Sequence, residues 1–365
     1  MQNIALEVIK ILENHGYSAY IVGGYVRDYL LGIETMDVDI CTNAKPKEIM
    51  DIFETIPVSS IQYGSVSVIY KNHKFDITTF RKEIKYEDNR KPVKIKYIDN
   101  VKKDLLRRDF TINTLCMDKN GKVLDFLNVR DDLDKRIIKT VGNPRYRIKE
   151  DALRILRAIR FATRLKLTID DKTKHYLKKY GYLLKKLSYE RKKQELNKIF
   201  SSSNREIGKR LILELKLDKY LEIPNLSRTV MVNDIIGIWS QLDVDNIYPF
   251  SKIEKGQMEK IRSLLKEDVY DPYVIYQNGL YLCTVGAMIK GLDKTKINEI
   301  YNGLAIESKK DIVVKPNDIM KALKREPGTY LKDIMKDIER EIVYGKIDNS
   351  FDDIMKYVLK NYAML

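Results

Sequence analysis

At 365 residues, with 44% hydrophobic and 33% charged side chains, the chain is long enough to bury a large core and to form two to four domains. No apolar run approaches the ~18 residues of a membrane span, and the opening stretch MQNIALEVIKILENHG, with Glu7, Glu13 and no basic start, reads as an amphipathic helix ending near Gly16 and not as a signal peptide. The net charge of +15 is concentrated in residues 81–200, which hold 35 basic against 17 acidic side chains while residues 1–80 hold 6 against 10, so the excess marks a polyanion site with nucleic acid as its natural candidate.

In chain order, Tyr20-Ile21-Val22 is the first strand signal, a β-branched and aromatic run broken by Gly23-Gly24. Two residues without a Cβ let the backbone turn sharply and approach a ligand closely. Tyr25 to Leu31 has helical spacing, with Gly32 as its C-cap. A second strand is expected over Met36–Cys41, which puts Asp37 and Asp39 on one face and Val38 and Ile40 on the other. Two carboxylates on one face repel unless a cation lies between them, and an oxygen-only pair suits a hard divalent ion such as Mg²⁺. The bland alternative is two solvated acids on an edge strand. Further strands are predicted at Val66–Tyr70 and Lys74–Phe80, around a turn at Asn72-His73. On the second of these Asp76 is either a third metal carboxylate or an ordinary polar-face residue. Arg81 to Tyr97 is dense in charge with few apolar anchors, and reads as a mobile loop.

The run DLLRRDFTINTLCM, Asp104 to Met117, brings together Arg107, Arg108, Asp109 and Asn113, which offer charge-assisted donors for phosphate and polar contacts for a ribose. Val123 to Asn143 holds Asp131-Asp132-Leu133 ahead of a basic strand. Glu150 to Phe161, EDALRILRAIRF, reads as a helix with Leu153, Leu156 and Ile159 near one face. Asp151, Arg154, Arg157, Arg160 and then Arg164 recur every three or four residues along another face; a plain solvated face would look the same. Within SYERKKQEL, Glu190 and Arg191 are expected to brace that helix or to form surface ion pairs. Ser201–Asn204 is a polar break, and amphipathic helices without a repeat period follow it. Cys41, Cys116 and Cys283 have neither zinc spacing nor a disulfide framework, which suits a reducing cytoplasm. His15, His73 and His175 are too scattered to form a metal cluster.

GGxxRD at Gly23–Asp28, DVDI at Asp37–Ile40, RRDFTIN at Arg107–Asn113, EDxxR at Glu150–Arg154 and ERxxxEL at Glu190–Leu196 resemble, in that order, the motifs of the polymerase-β-like nucleotidyltransferases. They most resemble the class II CCA-adding enzymes of the bacterial tRNA nucleotidyltransferase and poly(A) polymerase family. One motif departs: where the family usually has a Gly-Gly pair before Asp-Leu, this chain has Asn128-Val129-Arg130. The resemblance spans nearly the whole chain and implies an α+β protein. A small mixed-sheet nucleotidyltransferase head over residues 1–142 precedes an all-helical neck (143–203), body (204–296) and tail (297–365) that binds tRNA. It implies template-independent addition of CCA to the 3′ end of tRNA from CTP and ATP. Asp37 and Asp39 would hold two Mg²⁺. Gly23, Gly24 and Arg27 would cradle the triphosphate, with Arg157 and Arg160 contacting it; Arg108, Asp109 and Asn113 would check the ribose. Asp88-Asn89-Arg90 fits the loop element that helps the switch from C to A addition. For base choice, cytosine and adenine share an amino donor beside a ring-nitrogen acceptor, a pattern that Asp151 and Arg154 match and that uracil and guanine reverse. A poly(A) polymerase, an A-only tRNA nucleotidyltransferase and a non-catalytic RNA-binding protein on the same scaffold stay open as alternatives. No membrane and no protein partner is implied.

Overall fold

The computed structural model describes residues 1–57, 59–87 and 91–363, and the chain divides into two units, Met1–Ser227 and Arg228–Leu365. In the first unit α1 (Gln2–Asn14) buries Ala5, Val8, Ile9 and Leu12, a stripe at helical spacing. It is followed by β1 (Ala19–Val22), α2 (Gly24–Leu30), β2 (Asp39–Thr42), α3 (Pro46–Ile52), β3 (Glu54–Ile56), β4 (Ser65–Tyr70) and β5 (His73–Thr79). Then come β6 (Arg81–Glu87), β7 (Lys91–Tyr97), α4 (Val101–Leu105), β8 (Cys116–Met117), β9 (Val123–Leu124), α5 (Arg130–Asp134) and β10 (Ile137–Ile138). Seven strands form one mixed sheet in the order β3-β4-β5-β2-β1-β8-β9, with β2 and β5 parallel. The register aligns Ile21, Ile40, Ile77 and Val66 across four strands, all fully buried. Each such side chain contributes about 1.5–3 kcal/mol to folding. The next row, on the opposite face, is Val22, Asp39, Asp76 and Ser67. Burial of the aliphatic row therefore decides which face of the sheet Asp39 occupies.

Two expectations are corrected here. The strand expected at Met36–Cys41 begins only at Asp39, because β1 ends at Val22, opposite Asp39, and turns away at Gly23. Among the described residues those just before Asp39 have no partner strand, and Asp37 lies in the preceding loop. The expected mobile loop at Arg81–Tyr97 is instead an antiparallel hairpin, β6 with β7. Its charges obscure a period-two alternation in the sequence, Ile84-Tyr86 and Val93-Ile95-Tyr97, that favours strand pairing. Asp88, Asn89 and Arg90 lie outside the described residues. At the hairpin root the Ile98 N–H donates to the Phe80 carbonyl at 3.0 Å, and the Tyr97 ring covers Gly64, where a Cβ would come within 2.9 Å.

The first unit continues with α6 (Pro144–Glu150), α7 (Leu153–Leu165), β11 (Thr168–Ile169, parallel to β10), α8 (Asp171–Lys179), α9 (Tyr189–Phe200), α10 (Arg205–Glu214) and α11 (Asp218–Leu221). The single helix expected from Glu150 is two. Asp151 separates them in an extended conformation (φ −142°, ψ 104°), and its Oδ1 accepts the Leu153 N–H at 2.9 Å. A short acid that can bond nearby backbone is better placed at a helix end than inside a helix. Asp151 therefore does not share the α7 face that carries the arginines.

The second unit is helical: α12 (Ile235–Ser240), α13 (Lys252–Leu264), α14 (Pro272–Lys290), α15 (Lys294–Asn302), α16 (Pro316–Leu323), α17 (Tyr330–Val343) and α18 (Phe351–Tyr362). One apolar cluster is centred on Ile261, Cys283 and Ile297, another on Ile319, Ile338 and Ile354. No described helix is long and apolar enough to cross a membrane.

Candidate active site

The turn from β1 into α2 opens the site. Gly23 has φ +80°, and a Cβ there would stand 3.3 Å from Nη1 of Arg108 and 3.8 Å from Oδ2 of Asp39, so conformation and space both call for glycine. One turn into α2, Arg27 is buried; its Nε donates to Asp28 Oδ1 at 2.8 Å and its Nη1 to Asn113 Oδ1 at 2.6 Å. Burial pulls the Arg27 pKa down, and the Asp28 charge opposes that. Asp28 Oδ2 also accepts Arg164 Nη2 at 3.0 Å. These bonds fasten α2 to the RRDFTIN segment and to the end of α7.

Asp109 is the hub of that network. Its Oδ1 accepts the Phe110 N–H at 2.8 Å and Asn113 Nδ2 at 3.0 Å; its Oδ2 accepts Arg157 Nε at 2.7 Å and pairs with Arg157 Nη2 at 2.5 Å. Burial works to raise the Asp109 pKa, but the Arg157 charge and these bonds prevail and hold it well below the usual carboxylate range. Phe161 sits among three guanidinium groups, with Arg160, Arg27 and Arg157 at 4.6, 5.1 and 5.3 Å from its ring centroid. Arg160 Nη1 donates to Glu195 Oε1 on α9 at 3.0 Å. The expected braces, Glu190 and Arg191, are exposed, with Arg191 bonding to Gln194 on its own helix. The brace is Glu195, one turn beyond Arg191, because only that part of α9 faces α7.

Gly23, Gly24, Arg27, Asp37, Asp39, Arg108, Asp109, Asn113, Arg157 and Arg160 line one cleft of about 750 Å³, together with Phe161, Arg164, Lys198 and Ser201–Ser203. Asp151 and Arg154 are not part of that lining. Arg154 is buried; its Nη1 donates to the Arg147 carbonyl at 2.7 Å and Glu150 Oε2 at 3.3 Å, and its Nη2 to the Arg107 carbonyl at 3.2 Å. Burial raises the Asp151 pKa against the Arg154 charge. Asp76 is in register with Asp39, yet its carboxylate takes the Ser67 hydroxyl and the Lys74 ammonium, the latter at 3.5 Å. Sequence reasoning singles out Asp28 only as part of GGxxRD, without a role, and misses Phe161, Lys198 and the serines. An aromatic set within the stripe Arg157, Arg160 and Arg164 was the available signal for Phe161; the serines read only as a break between helices.

Asp37 and Asp39 have no hydrogen bond or ion pair from their carboxylates among the described residues. Asp39 is open to solvent at the strand start, yet desolvation by the cleft walls raises its pKa, the Asp37 charge adds to that, and Arg108 opposes it. Such an oxygen-only, like-charged pair fits a hard divalent cation whose shell is completed by water or phosphate oxygens. No group of three His, Cys, Asp or Glu among the described residues forms a protein-only cage.

Residues 19–139 match the family profile described as "Poly A polymerase head domain", residues 166–228 "Probable RNA and SrmB- binding site of polymerase A", and residues 256–358 tRNA nucleotidyltransferase domain 2. The chain is similar to the CCA-adding enzyme of Geobacillus sp. (strain WCH70), 32% identical over 388 residues that cover 97% of this chain and 96% of that one. It is 31% identical to the CCA-adding enzyme of Ligilactobacillus salivarius (strain UCC118) over 386 residues, covering 98% and 96%. Its fold is similar to the crystal structure of the Bacillus stearothermophilus CCA-adding enzyme in complex with CTP, with a TM-score of 0.87 at 26% identity over 99% of this chain and 97% of that one. Nucleotidyltransferases of this family use a divalent metal, in keeping with the paired carboxylates. Matched from end to end at this level of identity, the chain belongs to the class II CCA-adding enzymes, a family of tRNA nucleotidyltransferases.

Proposed function

We propose that this chain adds cytidine, cytidine and adenosine to the 3′ end of tRNA without a nucleic-acid template, consuming CTP and ATP and releasing pyrophosphate. One observation carries the reading: two unpartnered carboxylates share a cleft with five arginines, Arg27, Arg108, Arg157, Arg160 and Arg164. The arginines attract a triphosphate and the carboxylates repel it, so the two halves are compatible only for a metal-bound nucleotide. Magnesium is the ion we assign to Asp37 and Asp39, where it would activate the tRNA 3′-hydroxyl and offset charge on the departing phosphates.

Arg108, expected from the sequence to check the ribose, is reassigned here to the triphosphate because its Nη1 stands against the Gly23 turn; with Arg157 and Arg160 it holds the triphosphate against Gly23-Gly24. Arg27, already bonded to Asp28 and Asn113, adds charge to that cradle and fixes its shape. Asp109 and Asn113 check the ribose. Asp109 is ionised throughout the neutral range, so it only accepts; both its oxygens already take two donors each, so a sugar hydroxyl bonds there only by displacing one of them. Asp151 and Arg154 read the base edge. The Asp151 Oδ1 is taken by Leu153, which leaves Oδ2 for an exocyclic amino group. Both terminal nitrogens of Arg154 are engaged, so base reading there requires the exchange of one partner. We divide the chain into head (1–142), neck (143–203), body (204–296) and tail (297–365), and assign it to the cytoplasm, in keeping with three free, buried cysteines.

The test is incubation with Mg²⁺, labelled CTP or ATP, and tRNA ending at its discriminator base, with the products sized. Addition of C, C and then A supports the proposal. A long adenosine ladder would identify a poly(A) polymerase, and growth only on tRNA already ending in CC an A-adding enzyme. No addition to any of these primers would refute it.

A further inference from the structure

We infer that Asp104, which lies outside the cleft lining, is a positioning residue that sets Arg108 for its grip on the incoming triphosphate. The inference rests on the nucleotide reading of the cleft. Asp104 is fully buried on α4, four residues before Arg108. A buried carboxylate is costly unless its charge and lone pairs are met. Its Oδ1 is fully used: it accepts the Arg81 N–H at the start of β6 at 3.1 Å and Arg107 Nε at 2.8 Å. Those bonds fix where the carboxylate stands. Its Oδ2 has no hydrogen bond and faces Arg108 Nη2 at 3.7 Å. Arg108 Nε is also buried without a partner, while Nη1 reaches the Gly23 turn at the cleft. Burial works against the Arg108 charge, and Asp104 is the foremost charge that sustains it. One oxygen thus anchors the acid to the fold, and the other steers the guanidinium by charge from beyond hydrogen-bond reach. Steering of that kind orients Arg108 without consuming its donors, which stay available to phosphate oxygens.

Asp104→Asn keeps an acceptor at Oδ1 for Arg81 and Arg107 and removes the charge that faces Arg108. The measurement is steady-state KM for CTP, ATP and tRNA in wild type, Asp104→Asn, Arg108→Ala and the double variant, with unfolding midpoints alongside. Asp104→Asn is expected to raise both nucleotide KM values roughly five- to thirtyfold, within the range for directly coupled neighbours, and to leave the tRNA KM unchanged. In the Arg108→Ala background it should add nothing further. A merely structural role predicts the same added loss in both backgrounds, and that result would overturn the inference. A rise in nucleotide KM for Arg108→Ala but none for Asp104→Asn overturns the inference and spares the reading of the cleft. Unchanged KM in Arg108→Ala removes the triphosphate role of Arg108 and the inference with it. If the Asn variant does not fold, Asp104→Glu carries the same cycle, since it keeps the charge and moves it by one methylene.

Discussion

Replacing Arg157 by alanine isolates the pair at the centre of the cleft. The substitution takes both nitrogens, at 2.7 and 2.5 Å, from Asp109 Oδ2 and leaves Asn113 and the Phe110 N–H on Oδ1. Orphaning one member of a buried pair costs about 3–5 kcal/mol. The Asp109 side chain is 10% exposed but that of Arg157 is 32% exposed, so water reaches the gap and a cost of about 2–3 kcal/mol is expected. For a unit of this size, Met1–Ser227, each kcal/mol moves the unfolding midpoint by about 2–4 °C, which gives a fall of about 4–12 °C. Asp109→Asn in the same chain removes the orphaned charge, so the double variant should recover at least ~1 kcal/mol relative to additivity. The sign with pH is fixed. The Asp109 pKa is depressed in the folded state below its ordinary 3.8, so its contribution is complete above the unfolded value and is lost as pH falls through the folded one. The stability that Asp109 contributes in wild type should therefore be flat from about pH 8 to pH 5 and fall below. Calorimetry of the transition of this unit reads all three quantities. A midpoint within about 1 °C of wild type, or strict additivity in the double variant, would refute the reasoning.

Asp37→Asn and Asp39→Asn should each abolish nucleotide addition with tRNA affinity nearly kept; near-normal turnover in both would remove the metal assignment. Asp39→Asn should also raise the unfolding midpoint slightly at pH 7 without divalent ion: the cleft walls and Asp37 raise its folded pKa although the side chain is solvent-exposed, so the small penalty of its charge appears as pH rises through that pKa. Arg154→Ala and Asp151→Ala should lose most of the preference for CTP over UTP, a discrimination of about 1–3 kcal/mol for a bidentate contact. The ratio of kcat/KM values measures this, and a ratio equal to wild type sinks the base-reading pair. Gly23→Ala meets a strained conformation and the Arg108 guanidinium together, so it should cost about 1–2 kcal/mol of stability and raise the nucleotide KM; a variant neutral in both would show that the turn tolerates a side chain.

Much of the head was legible because its signals are local. The pair Ile40 and Asp39 declares alternation within four residues, and RRDFTIN carries its own chemistry. What was not legible depends on partners distant in sequence. Asp37 leaves the strand because β1, its would-be neighbour, has already turned at Gly23. The Arg81–Tyr97 hairpin was hidden because lysine alternating with isoleucine and tyrosine gives strand periodicity and loop composition together. Asp151 spaces like a helical residue, and only its bond to the Leu153 N–H reveals a boundary. Glu195 was passed over for Glu190 and Arg191 because spacing within α9 does not say which side meets α7.

The β6–β7 hairpin leaves and re-enters the head at Phe80 and Ile98, which are joined by a single hydrogen bond of 3.0 Å, and it shares no strand pairing with the seven-stranded sheet. It is in effect an appendage fastened only at its root, where the Arg81 N–H also donates to Asp104 and the Tyr97 ring covers Gly64. Residues can be gained or lost at its tip without shifting the register that fixes Asp39, and doubling the length of a flexible loop costs only about 0.6 kcal/mol in closure entropy. A change in the length of this arm can therefore leave the carboxylates in place, so what the arm does and what the carboxylates do can be altered separately.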